Sequence, residues 1–183
     1  MRAYENEPVV VQRDVKAVVI PAGVEVKLRT GQAGYITQSL GGSFTVYVEG
    51  NLFRIAGEDA DAIGKEVARA PQLPPDATDE DLLKIVWDQM RTCYDPEIPI
   101  NIVDLGLVYL AEAKHNEDDT RDVHIQMTLT APGCGMGEVL VQDVKEKVER
   151  IPTVRRADVE LVFDPPWNQS MMSEAARLQT GMI

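Results

Sequence analysis

A single cysteine set among three glycines is the residue of this chain best suited to chemistry. Cys134 lies in the segment APGCGMG, beside Gly133 and Gly135 and shortly before Gly137. A predicted strand precedes it and a predicted amphipathic helix follows, so the thiol meets the positive end of a helix dipole, which favours thiolate. Thiolate attacks electrophiles and binds soft metal ions. The alternative is a small buried hydrophobe, as many free cysteines are, but the glycines favour a functional thiol.

Three carboxylates form a second candidate feature. Asp95, Glu97 and Asp104 flank Pro96 and Pro99 in the segment DPEIPINIVD. An aspartate before proline favours a turn, because its side chain accepts hydrogen bonds from nearby backbone N–H groups. Carboxylates also ligate metals or bind partners, and the sequence leaves these two roles open.

The other cysteine and the two histidines give weaker evidence for a functional site. Cys93, at the end of a predicted helix, is expected to pack. His115 and His124 lack the spacing of a zinc site. An enzyme that uses Cys134 as nucleophile would need a base, and none is identifiable in the sequence, so no catalytic residue is assigned.

Composition restricts the partners. The 183 residues carry a formal net charge of −12, with a pI near 4.6. Such a surface repels nucleic acid and anionic lipid, so neither is expected as a partner. No apolar run reaches the roughly 20 residues of a membrane span, and two cysteines without a CxxC pattern favour a reducing compartment. We therefore expect a cytoplasmic protein.

The two halves of the chain show different periodicities. Alternating apolar residues and glycine turns between residues 9 and 55 predict about five short strands in a meander or small barrel. The proline-rich stretch near residues 71–75 predicts a spacer between a β-rich domain at 1–70, with a linker to 77, and a second domain at 78–183.

The second half is predicted to be α+β, with helices packed on one sheet. Thr78 and Asp81 form a capping-box pattern before a helix that is expected to end near Cys93. After this helix, the sequence predicts strands at 105–113 and 122–130, a helix at 138–151, a strand at 157–163 and a last short helix at 173–179.

The segments DPEIPINIVDLGLVY, Asp95 to Tyr109, and PGC, Pro132 to Cys134, carry a resemblance to a known family. From about Leu82 to Phe163 the chain resembles the small iron–sulfur assembly domain of PaaD-like proteins and SufT. The N-terminal half resembles the extension of long SufT proteins, through IPAGVEVKL, ITQSLGGSFTV and NLFRIAGEDADAIG. Many relatives carry proline after the cysteine, where this chain has Gly135.

The resemblance implies an accessory factor in iron–sulfur protein maturation rather than a metabolic enzyme. It makes Cys134 the functional thiol, within a functional loop and acidic turn. A role for Cys134 as a transient metal ligand is our hypothesis from its predicted thiolate character and from the small number of cysteines. That loop and turn comprise Asp95, Glu97, Asp104, Thr130, Gly133, Cys134 and Gly135. The implied partners are iron–sulfur scaffold or carrier proteins and client apoproteins.

Ligand counting limits how a cluster is held. An iron–sulfur cluster usually takes four protein ligands, mostly cysteine, whereas the chain has two cysteines. A labile cluster held with help from a homodimer, non-cysteine ligands or small thiols is therefore expected, and a permanent one is not. The alternative function is an adaptor without metal, which links scaffold and client proteins through its acidic surface while Cys134 is structural.

Overall fold

The computed structural model describes residues 6–95, 97–133 and 135–182, so Cys134 lies outside the described residues. The chain divides into two compact units, one ending at Arg69 and one beginning at Ala70. Each unit has its own sheet and its own hydrophobic core. The predicted α+β class is confirmed.

The N-terminal unit is a six-stranded antiparallel sheet. Its strand order is β1-β4-β5-β6-β2-β3, with β1 and β3 at the edges. The predicted β-rich character of this half is confirmed, and the predicted meander or small barrel is not. The strands are β1 (Glu7–Val10), β2 (Val15–Ile20), β3 (Glu25–Leu28), β4 (Ala33–Leu40), β5 (Ser43–Val48) and β6 (Asn51–Ile55).

The segment after β6 is helical at its start, although the sequence from Gly57 to Asp76 is typical of a loop. Gly57–Ile63 forms a 3₁₀ helix. Ala60, Ala62 and Ile63 on this helix are buried in the core of the sheet, and that burial stabilises the helical turns. Gly64 then ends the helix in the left-handed conformation.

The C-terminal unit has a three-stranded sheet with helices. Its strand order is β7-β8-β9, with β7 and β8 antiparallel and β8 and β9 parallel. A parallel pair requires a crossover, which α2 supplies. The elements are α1 (Asp79–Met90), β7 (Val108–His115), β8 (Arg121–Met127), α2 (Gly137–Glu149), β9 (Val154–Leu161), a 3₁₀ turn (Gln169–Met171) and α3 (Glu174–Thr180).

The predicted capping box starts α1. The Thr78 hydroxyl accepts from the Asp81 N–H (3.1 Å), and Asp81 Oδ2 accepts from the Thr78 N–H (2.9 Å). The helix ends at Met90, and hydrogen-bonded turns continue to Cys93, which is fully buried, as expected of a packing residue. Leu82, Val86 and Met90 are fully buried on one face.

Apolar and polar residues alternate along β8, so one face of the strand packs in the core and the other lies at the surface. Val123, Ile125 and Met127 pack with residues of α1 and α2 in one core cluster. His124 and Gln126 lie on the opposite face, opposite Asp158 and Glu160 of β9. Within the described ranges, no helix is both long and apolar enough to cross a membrane.

Two strand bounds differ from the prediction at the end of the sheet that leads to the candidate site. Strand β7 begins at Val108 instead of Leu105, because residues 101–106 form turns that end at Gly106 with φ +75°. Strand β8 ends at Met127 instead of Thr130. The Thr128 N–H still donates to Leu107 O (2.8 Å), and the chain then leaves the sheet.

A histidine between two carboxylates makes stability depend on pH. His115 Nε2 lies 3.2 Å from Asp119 Oδ1, and Nδ1 lies 3.3 Å from Asp79 Oδ1. Asp119 first and Asp79 second raise the pKa of His115 above its ordinary value. A raised folded pKa stabilises the fold below the unfolded value, near 6.5, and that stabilisation is lost as pH rises through the folded pKa.

We expect the difference in unfolding free energy between wild type and His115→Gln to be larger at pH 5 than at pH 8. The difference should be small, because the imidazole is 44% exposed. Urea unfolding at both pH values measures it, and an NMR titration of the ring gives the pKa directly. A His115 pKa below the value of an unfolded peptide would contradict the expectation.

Candidate functional site

Asp95 is the buried carboxylate of the acidic turn, with 4% of its surface exposed. Its Oδ1 accepts from the N–H groups of Glu97 (2.9 Å) and Ile98 (2.8 Å). Its Oδ2 accepts from the Thr130 hydroxyl (3.2 Å). Both oxygens are therefore engaged, which favours the turn-forming role of Asp95 over the ligand role that the sequence left open.

The bond from Thr130 brings two predicted site segments together. Thr130 follows β8 and begins the loop that contains Cys134, whereas Asp95 follows α1, 35 residues earlier in the chain. Glu97, next in the turn, is exposed, and its N–H is held by Asp95. The start of the loop is thus tied to a buried carboxylate.

The residues on either side of Cys134 are open to solvent. Gly133 and Gly135 are exposed, and a Cβ built on either residue has no described atom within 4 Å apart from those of the glycine and its chain neighbours. Gly133 has φ +78°, a conformation that other residues rarely adopt. The backbone here leaves room for another molecule to approach.

The end of the loop is fixed by a close contact. A Cβ built on Gly137 would lie 2.7 Å from Leu129 Cδ1, so the first residue of α2 packs directly against the residue that precedes Thr130. Met136, at the N-cap position of α2, provides no capping side chain among the described residues. The first-turn N–H groups of α2 are therefore suited to an anionic neighbour.

Asp104 lies in a second turn beside the acidic turn. Asn101 Oδ1 accepts from the N–H groups of Val103 (3.1 Å) and Asp104 (2.9 Å), and Asn101 Nδ2 donates to Asp104 Oδ2 (2.7 Å). An isolated bridge pairs Asn101 with Tyr94, the residue before Asp95. Asp104 is thus connected to the site through Asn101, which the sequence did not single out.

The C-terminal segment holds this second turn in place. Trp167 Nε1 donates to Leu105 O (2.6 Å), and the Ser173 N–H donates to Asp104 O (2.8 Å). The Tyr109 hydroxyl donates to Pro165 O (2.7 Å). No local sequence pattern indicates the carbonyl partner of Trp167.

Gly106→Ala is expected to destabilise the C-terminal unit strongly. A Cβ at this position would lie 2.2 Å from Met171 O and 2.8 Å from Met171 C, and the φ of +75° adds strain. Since backbone atoms on both sides must move, we expect a loss of about 2–4 kcal/mol in unfolding free energy.

Urea unfolding followed by tryptophan fluorescence measures this loss, because both tryptophans, Trp87 and Trp167, belong to the C-terminal unit. Gly135→Ala is the matched control, since the built Cβ meets open space there. Equal stability of the two variants would show that the contact between Gly106 and Met171 is not tight.

The charge of the chain is concentrated in the unit that holds the site. Residues 70–183 contain 21 acidic and 10 basic side chains, whereas residues 1–69 contain nine and eight. In the described part of the chain, no group of three or more His, Cys, Asp and Glu residues is arranged to hold a metal ion.

Comparison with known proteins addresses the resemblance directly. The family described as iron–sulfur cluster assembly protein matches residues 84–161. A Porphyromonas gingivalis protein named Fe-S protein maturation auxiliary factor is 43% identical over 108 residues, which are 58% of this chain and 93% of that protein. The Staphylococcus aureus Fe-S protein maturation auxiliary factor SufT is 42% identical over 88 residues, or 48% of this chain and 96% of that protein.

A solved structure supports the same assignment. The crystal structure of the domain of unknown function DUF59 from Bacillus anthracis is similar with a TM-score of 0.51 and 34% identity, over 57% of this chain and 96% of that one. The matched region 84–161 contains Asp95, Thr130 and Cys134. The chain therefore belongs to the iron–sulfur cluster assembly protein family, and the resemblance seen in its DPEIPINIVDLGLVY and PGC segments is confirmed.

Proposed function

We propose that this protein is an accessory factor that helps to mature iron–sulfur proteins, with Cys134 as a transient thiolate ligand of the cluster that is transferred. The observation that carries the proposal is the Thr130–Asp95 hydrogen bond at the start of a loop whose glycines are open to solvent. A held but accessible loop suits a thiol that must meet a cluster on another protein. The names of the relatives, Fe-S protein maturation auxiliary factors, support the same class of function.

The cluster is cargo in this proposal. Each bond from iron to the Cys134 thiolate replaces a bond from iron to a ligand of the donor protein, and a client cysteine later replaces Cys134 in the same way. Both exchanges leave the oxidation state of the cluster unchanged. The few cysteines of the chain suit such passage better than permanent binding.

The adaptor function is the second candidate, and the acidic C-terminal unit favours it. This unit contains 21 acidic and 10 basic residues. Its negative charge would attract basic surfaces of scaffold or client proteins without any metal contact. The two functions differ in whether iron and sulfide ever bind to this chain.

Anaerobic reconstitution with iron and sulfide tests the proposal. The protein is incubated alone, its oligomeric state is recorded, and it is then mixed with an apoenzyme whose activity requires a [4Fe–4S] cluster. We expect the protein to acquire visible absorption and iron, and separation of the two proteins after mixing to find both on the apoenzyme once it has gained activity. Faster activation of the apoenzyme by a cluster-loaded scaffold protein, without iron ever binding to this protein, would favour the adaptor. No acceleration with or without the scaffold would reject both functions.

A further inference from the structure

Lys147 on α2 makes a contact that none of the predicted site residues explains. Its side chain is 12% exposed, and its Nζ donates to Thr92 O (2.7 Å). Thr92 follows α1, where the final carbonyl groups of the helix lack partners within the helix and attract a cation. Nζ also lies 3.4 Å from Asp143 Oδ2, one turn earlier on α2.

The position of Thr92 gives this contact its importance. Thr92 lies three residues before Asp95, and the backbone between them is held by the bond from the Ile102 N–H to Cys93 O (2.9 Å). The start of the Cys134 loop is tied to Asp95 through Thr130, and the helix after the loop is tied to Thr92 through Lys147. The start of the loop and the last turn of the helix that follows it are therefore anchored to the same short segment, residues 92–95.

We infer that Lys147 is a positioning residue that completes a closed ring around the Cys134 loop. The ring runs from Thr130 to Asp95, back along the chain to Thr92, across to Lys147, and along α2 to the loop. A loop anchored on both sides has few conformations, and without the Lys147 tie the far side is held only by the packing of α2, including the contact of Gly137 with Leu129. The inference rests on the proposed function only where it concerns maturation; the anchoring itself is independent of any cluster.

Two variants isolate the tie between Lys147 and Thr92. Asp143→Asn leaves Lys147 able to donate to Thr92. The double variant Asp143→Asn/Lys147→Met removes that bond without leaving the Asp143 carboxylate buried beside a missing cation. Lys145→Met is the control for charge on the same helix, because Lys145 is 42% exposed and lies 3.9 Å from Glu149.

Amide hydrogen exchange of peptides covering residues 128–140 is the measurement. We expect exchange at least about tenfold faster in the double variant than in Asp143→Asn, as the loss of a charge-assisted hydrogen bond implies, and unchanged exchange in Lys145→Met. Equal exchange in the double variant and Asp143→Asn would overturn the inference. Should the double variant not fold, Asp143→Asn/Lys147→Gln gives the same comparison with Asp143→Asn at an expected ratio of about threefold in exchange rate, and a ratio of one would overturn the inference.

Client maturation separates this inference from the proposed function. At a temperature where all variants are folded, we expect the double variant to mature a client more slowly than Asp143→Asn. We expect Asp143→Asn/Lys147→Arg to mature the client at the rate of Asp143→Asn. Faster exchange combined with unchanged maturation would retain the anchoring and reject the role of the loop in transfer. Unchanged exchange combined with slower maturation would reject the anchoring and leave the proposed function standing.

Discussion

A Cys134→Ala protein is expected to fold as wild type does and to lose at least about tenfold in the rate of client maturation, since even groups that only support a metal ligand are worth 10–100-fold. The neighbouring glycines are exposed and have no described atom near a built Cβ, so the removal of one sulfur atom there should change stability by no more than about 0.5 kcal/mol. The measurement is the initial rate at which the apoenzyme gains activity from the reconstituted protein.

Cys93→Ala is the matched control. Cys93 is fully buried, and its Sγ lies 3.7 Å from Gln89 O, so its loss should cost about 1–2 kcal/mol of stability through the small cavity left behind. It should not change the maturation rate at a temperature where the variant is folded. Wild-type maturation by Cys134→Ala would remove the thiol from the mechanism and leave the adaptor function.

Local patterns in the sequence were sufficient to predict the elements that carry the site. The capping box of Thr78 and Asp81 starts α1 because both partners lie within one turn. The alternation from Val123 to Met127 defines the buried face of β8 because successive side chains point to opposite faces. The acidic turn at Asp95 follows from the aspartate itself, whose carboxylate takes up the N–H groups two and three residues on.

The contacts that position the site were not predictable in this way. Thr130 and Asp95 are 35 residues apart, and Lys147 and Thr92 are 55 apart, so each pair forms only when the helices and strands have packed. The same reason applies to Trp167, whose partner Leu105 lies 62 residues earlier. Periodicity identifies which face of an element is buried, but it does not identify the residue that a polar group on another element will meet.

The ends of the strands were also not predictable from the periodicity of the sequence. Apolar residues at 105, 107 and 129 favour continued strands, and these residues are indeed buried. Leu105 is buried in a turn, because Gly106 and the side chain of Asn101 redirect the backbone, and Leu107 and Leu129 are buried just outside the strands. An apolar residue indicates burial more reliably than it indicates the conformation in which it is buried.

Asp95→Ala is expected to have the largest effect on stability near the site. It leaves the N–H groups of Glu97 and Ile98 and the hydroxyl of Thr130 without their acceptor, in a place where Asp95 is only 4% exposed. Unsatisfied buried donors cost about 1–3 kcal/mol each, so we expect a total loss of about 3 kcal/mol or more. Urea unfolding followed by tryptophan fluorescence measures the loss in the C-terminal unit alone.

Asp95→Asn and Thr130→Val separate the turn from its tie to the loop. The asparagine oxygen keeps the two backbone bonds, so Asp95→Asn should cost only about 1 kcal/mol. Thr130→Val removes the hydrogen bond from the loop to Asp95 and should lower the unfolding free energy by about 1 kcal/mol. This loss should nearly vanish in the Asp95→Ala background, because the acceptor is already gone. If the two substitutions were instead additive, the Thr130 hydroxyl would not be held by Asp95, and the acidic turn and the Cys134 loop would be independent features of the fold.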